Sequence, residues 1–345
     1  MTATRSLHIL LLRLAGWIPD ELMFKARSKL ADGTPDEVVR IVLDAVLRND
    51  VPILAEDARL LHDLAPTTPM KALSKLITPN ADRRAPALDF APTIRSQFST
   101  EPQPQLLDLS VGRVNDLTDA DEAAIAALTG IDWPVALWRV WRSSQTTRLS
   151  SGPVPVYLLQ VDGDIAALPG VTAEVQGELL RAGAVDPQVE TWTADVDLPA
   201  YQQRARGRSA LLWAAEESRP VTVARVFDAY DPALGGRFFP DHATLPPGDE
   251  STRLLHYLDS GRVLAATTAK EPDIFSPEVG AVVPINFRTD GTWIWTDSVG
   301  YYLRKYRISP DQKLLDHIRG RSYAYVEPTA VAEHRAMAML TAPRG

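Results

Sequence analysis

The chain of 345 residues contains no cysteine. That absence removes disulfide bridges, thiolate catalysis and every cysteine-ligated zinc or iron-sulfur site, and it fits a reducing, cytoplasmic setting. Histidine is sparse: six residues stand singly, with no pair at metal-ligand spacing. A GxGxxG turn, a Walker A loop, a GxSxG elbow, an HExxH helix and an EF-hand loop are also missing. The common dinucleotide, NTP, serine-hydrolase, zincin and calcium chemistries therefore have no support, and no cofactor or metal is expected. Positive charge is in deficit, 36 Lys and Arg against 44 Asp and Glu for a formal charge of −8. This argues against general nucleic-acid or anionic-membrane binding, which depends on concentrated Lys and Arg. The apolar run from Leu7 to Ile18 is interrupted by Arg13, is too short for a membrane span, and is followed by no small-x-small cleavage site before Pro19, so it reads as a core helix. No internal repeat is visible.

What is present suits two domains, since the length exceeds the usual single core. The first seventy-odd residues read as helices. Asp20 opens one that Gly33 closes, Thr34-Pro35-Asp36-Glu37 opens the next as a capping box, and shorter helices follow at Ile53 to Leu64 and Met70 to Ile77. The composition then shifts to Pro, Ala, Ser and charge, which reads as a linker over 78–105, with Leu88, Phe90 and Ile94 able to pin part of it down. Beyond it, strands alternate irregularly with helices: Leu106 to Val111, a Thr118-capped helix, Val135 to Trp141, Val154 to Val161, Val189 to Ala194, Ala210 to Trp213 and Val221 to Phe227, with helices at Thr172 to Ala182, Ala200 to Arg206 and Ser251 to Asp259. The expected fold is thus α+β, with a small helical bundle over 1–77, the linker, and a domain over 106–345 built on a mixed or mainly antiparallel sheet.

Local signals are densest from Ala281 to Arg321. Two β-rich runs, Val282 to Phe287 and Thr292 to Trp295, flank Asp290-Gly291, a hairpin dipeptide. A two-residue loop there sets Arg288 opposite Trp293 and Asn286 opposite Trp295, so one face carries Ile285, Phe287 and Ile294 and the other Asn286, Arg288, Trp293 and Trp295. The first face is ordinary core. The second offers indoles beside a guanidinium and an amide, suited either to binding a partner or to internal packing under the next helix. Thr296 then caps a helix with a Val299, Tyr302, Leu303, Tyr306 stripe, and Ser309-Pro310-Asp311-Gln312 starts another, beside whose apolar side His317 reads as a structural histidine. Two loops add weaker signals. Asp241-His242 is an acid/base pair in a proline-bounded loop, with exposure as its simpler explanation. Glu271-Pro272-Asp273 reads as a turn first and a carboxylate pair second.

The block FRTDGTWIWTDSVGYYLRKYRISPDQKLLDHIR, with the upstream DPQVETW and LPAYQQRARGRSALLW, resembles an uncharacterised family of actinobacterial proteins, mycobacterial ones included, over roughly Leu106 to Arg321. Some of those look like neighbours of type VII secretion or toxin-immunity genes, and the resemblance brings no catalytic residues with it. The expected function is a non-enzymatic interaction or accessory protein whose partner is another protein. The alternatives are an enzyme of uncommon type, a hydrolase or transferase, and a small-molecule sensor, both using the Arg288/Trp293 face.

Overall fold

The structure is a computed structural model and describes residues 3–94, 104–112, 116–144, 152–231 and 233–342. The fold is α+β, with N-terminal helices followed by mixed sheets carrying packed helices. The chain divides into two compact units, one running to Glu217 and the other from Ser218 to Ala342. The division falls at 217/218 and not within 78–105, and the helices of the first seventy residues share a unit with the first sheet.

Unit 1 opens with α1 (Ala3–Arg13), α2 (Asp20–Ala31), α3 (Pro35–Arg48), α4 (Ala55–Leu64) and the short α5 (Met70–Ser74). Leu7 and Leu11, Met23, and Val38, Val42 and Val46 recur at helical spacing and close on one another in a single core. Pro35 takes the first turn of α3 as expected, but the Thr34 hydroxyl donates to Lys29 O at 2.9 Å and does not cap the helix. The stretch expected to be a linker contributes a strand, β1 (Leu88–Ala91), and residues 95–103 lie outside the described chain. Its apolar residues explain this: Phe90 meets Tyr201 edge-on at 5.4 Å, and the Arg204 guanidinium lies over Phe90 at 5.7 Å.

The sheet is completed by β2 (Leu107–Asp108), β3 (Pro134–Ser144), β4 (Val154–Val161), β5 (Gln188–Trp192) and β6 (Ala210–Ala214), interleaved with α6 (Asp119–Ala127), α7 (Leu168–Arg181) and α8 (Ala200–Arg206). Its order is β2-β6-β3-β4-β5, with β1 pairing the far end of β3. The β3 strand is antiparallel to β4, β6 and β1, whereas β4 and β5 are parallel through the α7 crossover. At the end of that order, every residue of β5 is buried. An uncovered edge would invite pairing with another chain, and here the helices cover it: His8 Nε2–H donates to Thr191 O at 2.9 Å, and Gln188 Nε2 donates to Asp20 O at 3.1 Å. Buried polar links tie the same elements together. Arg27 meets Glu190 at 2.7 Å, while Gln202 reaches both Glu190 and Leu12 O. These links join the helical start to the first sheet within unit 1.

Unit 2 contains β7 (Thr222–Val223), the hairpin β8 (Ala229–Asp231) and β9 (Gly235–Arg237), α9 (Asp249–Ser260), β10 (Arg262–Ala265), β11 (Lys270–Pro272), β12 (Ala281–Pro284), β13 (Phe287–Thr289), β14 (Trp293–Thr296), α10 (Asp297–Tyr306), α11 (Gln312–Gly320) and α12 (Ala330–Thr341). The run expected as one strand from Val282 to Phe287 is two: β12 pairs with β11, and β13 pairs with β14 in a sheet ordered β10-β13-β14-β7. Pro284 ends the first, as a residue without an N–H must in a strand interior. Helices cover both faces of this sheet. Leu254 and Leu258 of α9, Val299 and Leu303 of α10 and Leu314 of α11 gather around Trp295, whereas Ile294 and Phe287 meet Ala336 and Met337 of α12.

The hairpin register places Arg288 opposite Trp295 and Thr289 opposite Ile294, two residues from the expected pairing. The loop is Gly291-Thr292, one position later than expected. Gly291 alone takes positive φ (+91°), and the Asp290 carboxylate accepts the N–H groups of Thr292 and Trp293 at 2.9 and 2.8 Å. A slip of two keeps the pleat, so the assignment of residues to faces is unchanged. Valine at position 291 would combine a strained backbone with a Cβ 3.0 Å from that of Ala332. Gly291→Val is expected to cost unit 2 roughly 1–3 kcal/mol; an unshifted melting transition would contradict this turn.

Candidate functional site

Three of the four aromatic-face residues are committed internally. Trp295 is buried, its indole N–H donates to Leu258 O at 3.1 Å, and its ring occupies the space that a Cβ on Gly261 would need, 2.3 Å away. Arg288 pairs through Nε with Asp297 at 2.5 Å and donates through Nη1 to Asp259 O and Gly261 O, bringing a cation to the carbonyl end of α9. Asn286 donates to Asp297 at 2.7 Å and accepts from Thr267 N at 2.8 Å. Trp293 is half-buried beside His317, with ring centroids 6.0 Å apart. His317 is itself bound, Nε2 to Asp290 at 2.6 Å, and Asp290 also takes the Tyr257 hydroxyl at 2.5 Å. Burial alone would raise the Asp290 carboxyl; Tyr257, two backbone N–H groups and His317 outweigh it and hold the group below its ordinary value.

Asp241 and His242 line a cleft of about 260 Å³ together with Arg225, Asp228, Phe239 and Asp311. The cleft is built by chain crossings that local sequence does not disclose. Leu245 N and Ser309 N donate to Arg307 O and Ala243 O, stitching the loop after β9 to the segment before α11. His242 sits in the seam: Nδ1 faces Asp228 at 2.8 Å and Nε2 faces Ser309 O at 3.0 Å. Both ring nitrogens face oxygen atoms, so the ring is held from two sides. Asp228 also accepts Phe239 N–H at 2.7 Å; burial pushes its carboxyl up, and the Phe239 N–H and His242 more than reverse that. Across the cleft, Asp311 caps α11, accepting Lys313 N–H at 2.9 Å, and takes Arg225 Nε at 3.1 Å. The helix therefore starts from Asp311 and not, as expected, from Ser309, which is buried. The Asp241 carboxylate is exposed and makes no hydrogen bond or ion pair with the described residues.

Beside the cleft lies an aromatic stack. Gly236 lets Phe227 lie against the β8–β9 backbone, where a Cβ would fall 2.0 Å from the ring. Phe227 and Tyr302 each sit 5.3 Å from Phe238, Phe238 stacks on Phe275 at 5.8 Å, and Phe275 rests on Tyr306 at 4.6 Å. Phe239 and Phe275 remain 46% and 47% exposed. Below Phe275, Asp273 is buried; Glu271 and Pro272, expected in a turn, lie in β11, and the turn opens at Asp273, whose O accepts Ser276 N–H at 3.2 Å. Asp273 also accepts Tyr301, Lys305 and Tyr306 at 2.8, 2.7 and 2.6 Å, contacts that overcome burial and keep its carboxyl well below the usual range.

Unit 1 carries another cleft, of about 380 Å³, edged by Trp133 and by Asp132, Asp162, Asp164 and Glu174. Among the described residues no group of three or more His, Asp or Glu is placed to hold a metal ion, and no helix is long and apolar enough to cross a membrane. The chain matches no family model, no curated protein and no solved structure.

Proposed function

We propose that the protein is a non-enzymatic interaction protein that engages another protein through the aromatic surface of unit 2 around Phe239 and Phe275. One contrast carries this reading. The ionisable groups fit for acid/base work, Asp228 with His242, Asp273 with Lys305 and Asp290 with His317, are spent on one another. Beside them Phe275 is left half exposed on a packed aromatic base, and Phe239 half exposed at the cleft. Rings held this way lose little side-chain entropy when a partner covers them, which is the character of interface anchors. The neighbouring cleft, at about 260 Å³, is smaller than the few hundred Å³ upward that small-molecule sites occupy, which disfavours the sensor and enzyme readings at that position.

The test is affinity capture from the native host, followed by titration of the captured protein. Phe275→Ala should weaken binding by the folded protein by about 2 kcal/mol, the scale of an interface hot spot, and lower stability by about 1 kcal/mol through its lost packing on Phe238 and Tyr306. Capture and affinity indifferent to both Phe275→Ala and Phe239→Ala would discard this surface.

A further inference from the structure

We infer that the cleft beside Phe239 receives an arginine side chain of the protein partner, with Asp241 as its counter-ion. The inference rests on reading unit 2 as an interaction surface and names what that surface recognises. Of the carboxylates lining the cleft, one has no polar partner among the described residues. Asp311 takes Arg225, 3.1 Å away, and Asp228 is hydrogen-bonded to the His242 ring, 2.8 Å away, and to the Phe239 N–H. Asp241 is the remaining carboxylate of the lining, exposed and without a partner among the described residues.

The positive end of α11 offers no competing site for an anion, because the Asp311 carboxylate already occupies it. Gln312, which lines the cleft at that end, is neutral and turned to Asp316 at 2.8 Å. An incoming anion would meet an unmatched carboxylate, and an incoming cation a vacant ion-pair position. The wall is suited to a planar cation, since Phe239 lines the cleft with its ring half exposed. Guanidinium stacks on aromatic faces and pairs with carboxylate through a fork of donors, whereas an ammonium does neither as well. Arg237, which does not line the cleft, already lies over the same ring at 5.7 Å. A cleft of about 260 Å³ holds one long side chain, and Phe227 in its lining joins it through Phe238 to the stack that ends at Phe275, where apolar neighbours of that arginine can lie.

The probes are acetyl-Leu-Arg-Leu-amide and the same peptide with citrulline, which keeps the shape and removes the charge, titrated into the full chain by NMR. The arginine peptide should bind about tenfold tighter than the citrulline peptide and shift the Phe239 and His242 signals. Asp241→Asn should erase that preference with melting unchanged, because Asp241 supports nothing in the fold. Equal affinities, a preference that survives Asp241→Asn, tighter binding of a glutamate peptide, or no arginine-peptide binding at millimolar concentration would each overturn the inference. Partner capture that depends on Phe275 alongside any of those results would leave the interaction reading standing and remove only the arginine.

Discussion

Asp121→Ala should be among the most damaging single substitutions in unit 1, costing about 3–5 kcal/mol. The side chain is fully buried and does three things at once. It closes the capping box of α6, taking Thr118 N–H at 2.9 Å while the Thr118 hydroxyl accepts Asp121 N–H at 3.2 Å. It also accepts the Tyr157 hydroxyl at 3.1 Å and neutralises the buried Arg139 at 2.9 Å. The last contact sets the magnitude: a lost cap costs about 1 kcal/mol, whereas an uncompensated guanidinium inside a sheet costs several. A melting temperature lowered by roughly 10 °C is the expected readout for a unit of this size. Adding Arg139→Met should recover much of the loss, because the stranded charge then disappears. A double variant as unstable as Asp121→Ala alone would show that charge burial is not the main cost.

The second large effect is acid lability in unit 1 centred on His8. Burial, reinforced by the nearby Arg27 charge and only partly opposed by the bond to Thr191 O, pushes the ring down to about 4 from its ordinary 6.5. The unfolded chain therefore takes up a proton at higher pH than the folded chain does. Stability from this site is complete above pH 6.5 and is lost as the pH falls through the interval down to about 4. A gap of some 2.5 units corresponds to roughly 3 kcal/mol over that window. His8→Gln retains an N–H donor for Thr191 O without the titration, and its stability should be flatter between those limits. Parallel pH profiles for the two proteins would rule out His8 as the source.

Much of the fold was legible because local pattern and burial agree. The runs Val154 to Val161 and Ala200 to Arg206 form β4 and α8 at the bounds expected, and Thr118 caps α6 as expected. Departures arise where a distant partner decides. The β1 strand was hidden in linker-like composition because its pairing residues lie some fifty positions on in β3. The hairpin kept its faces and lost its register, since the Asp290 carboxylate, by binding the two N–H groups beyond Gly291, moves the loop by one residue. For the site, Asp241 and His242 were visible as neighbours in a loop. Asp228, Arg225 and Asp311 were not, because nothing in their local spacing reports that the chain returns to the same point. The Trp295 and Arg288 pattern showed which residues share a face, and could not show that α9 lies over it.

Covering of β5 by the first helices also bears on how the chain is made. His8 and Thr191 are 183 residues apart, and Leu12 and Gln202 are 190 apart. At synthesis rates of 5–20 residues per second, the underside of α1 and α2 waits roughly ten to forty seconds for the strand that will cover it. Through that interval the nascent chain displays the apolar flank of a helical hairpin with its acceptor still unmade. Ribosome-bound intermediates truncated before Val189 are where holdase chaperones should be found on this protein, and their occupancy should fall once β5 and α8 have emerged.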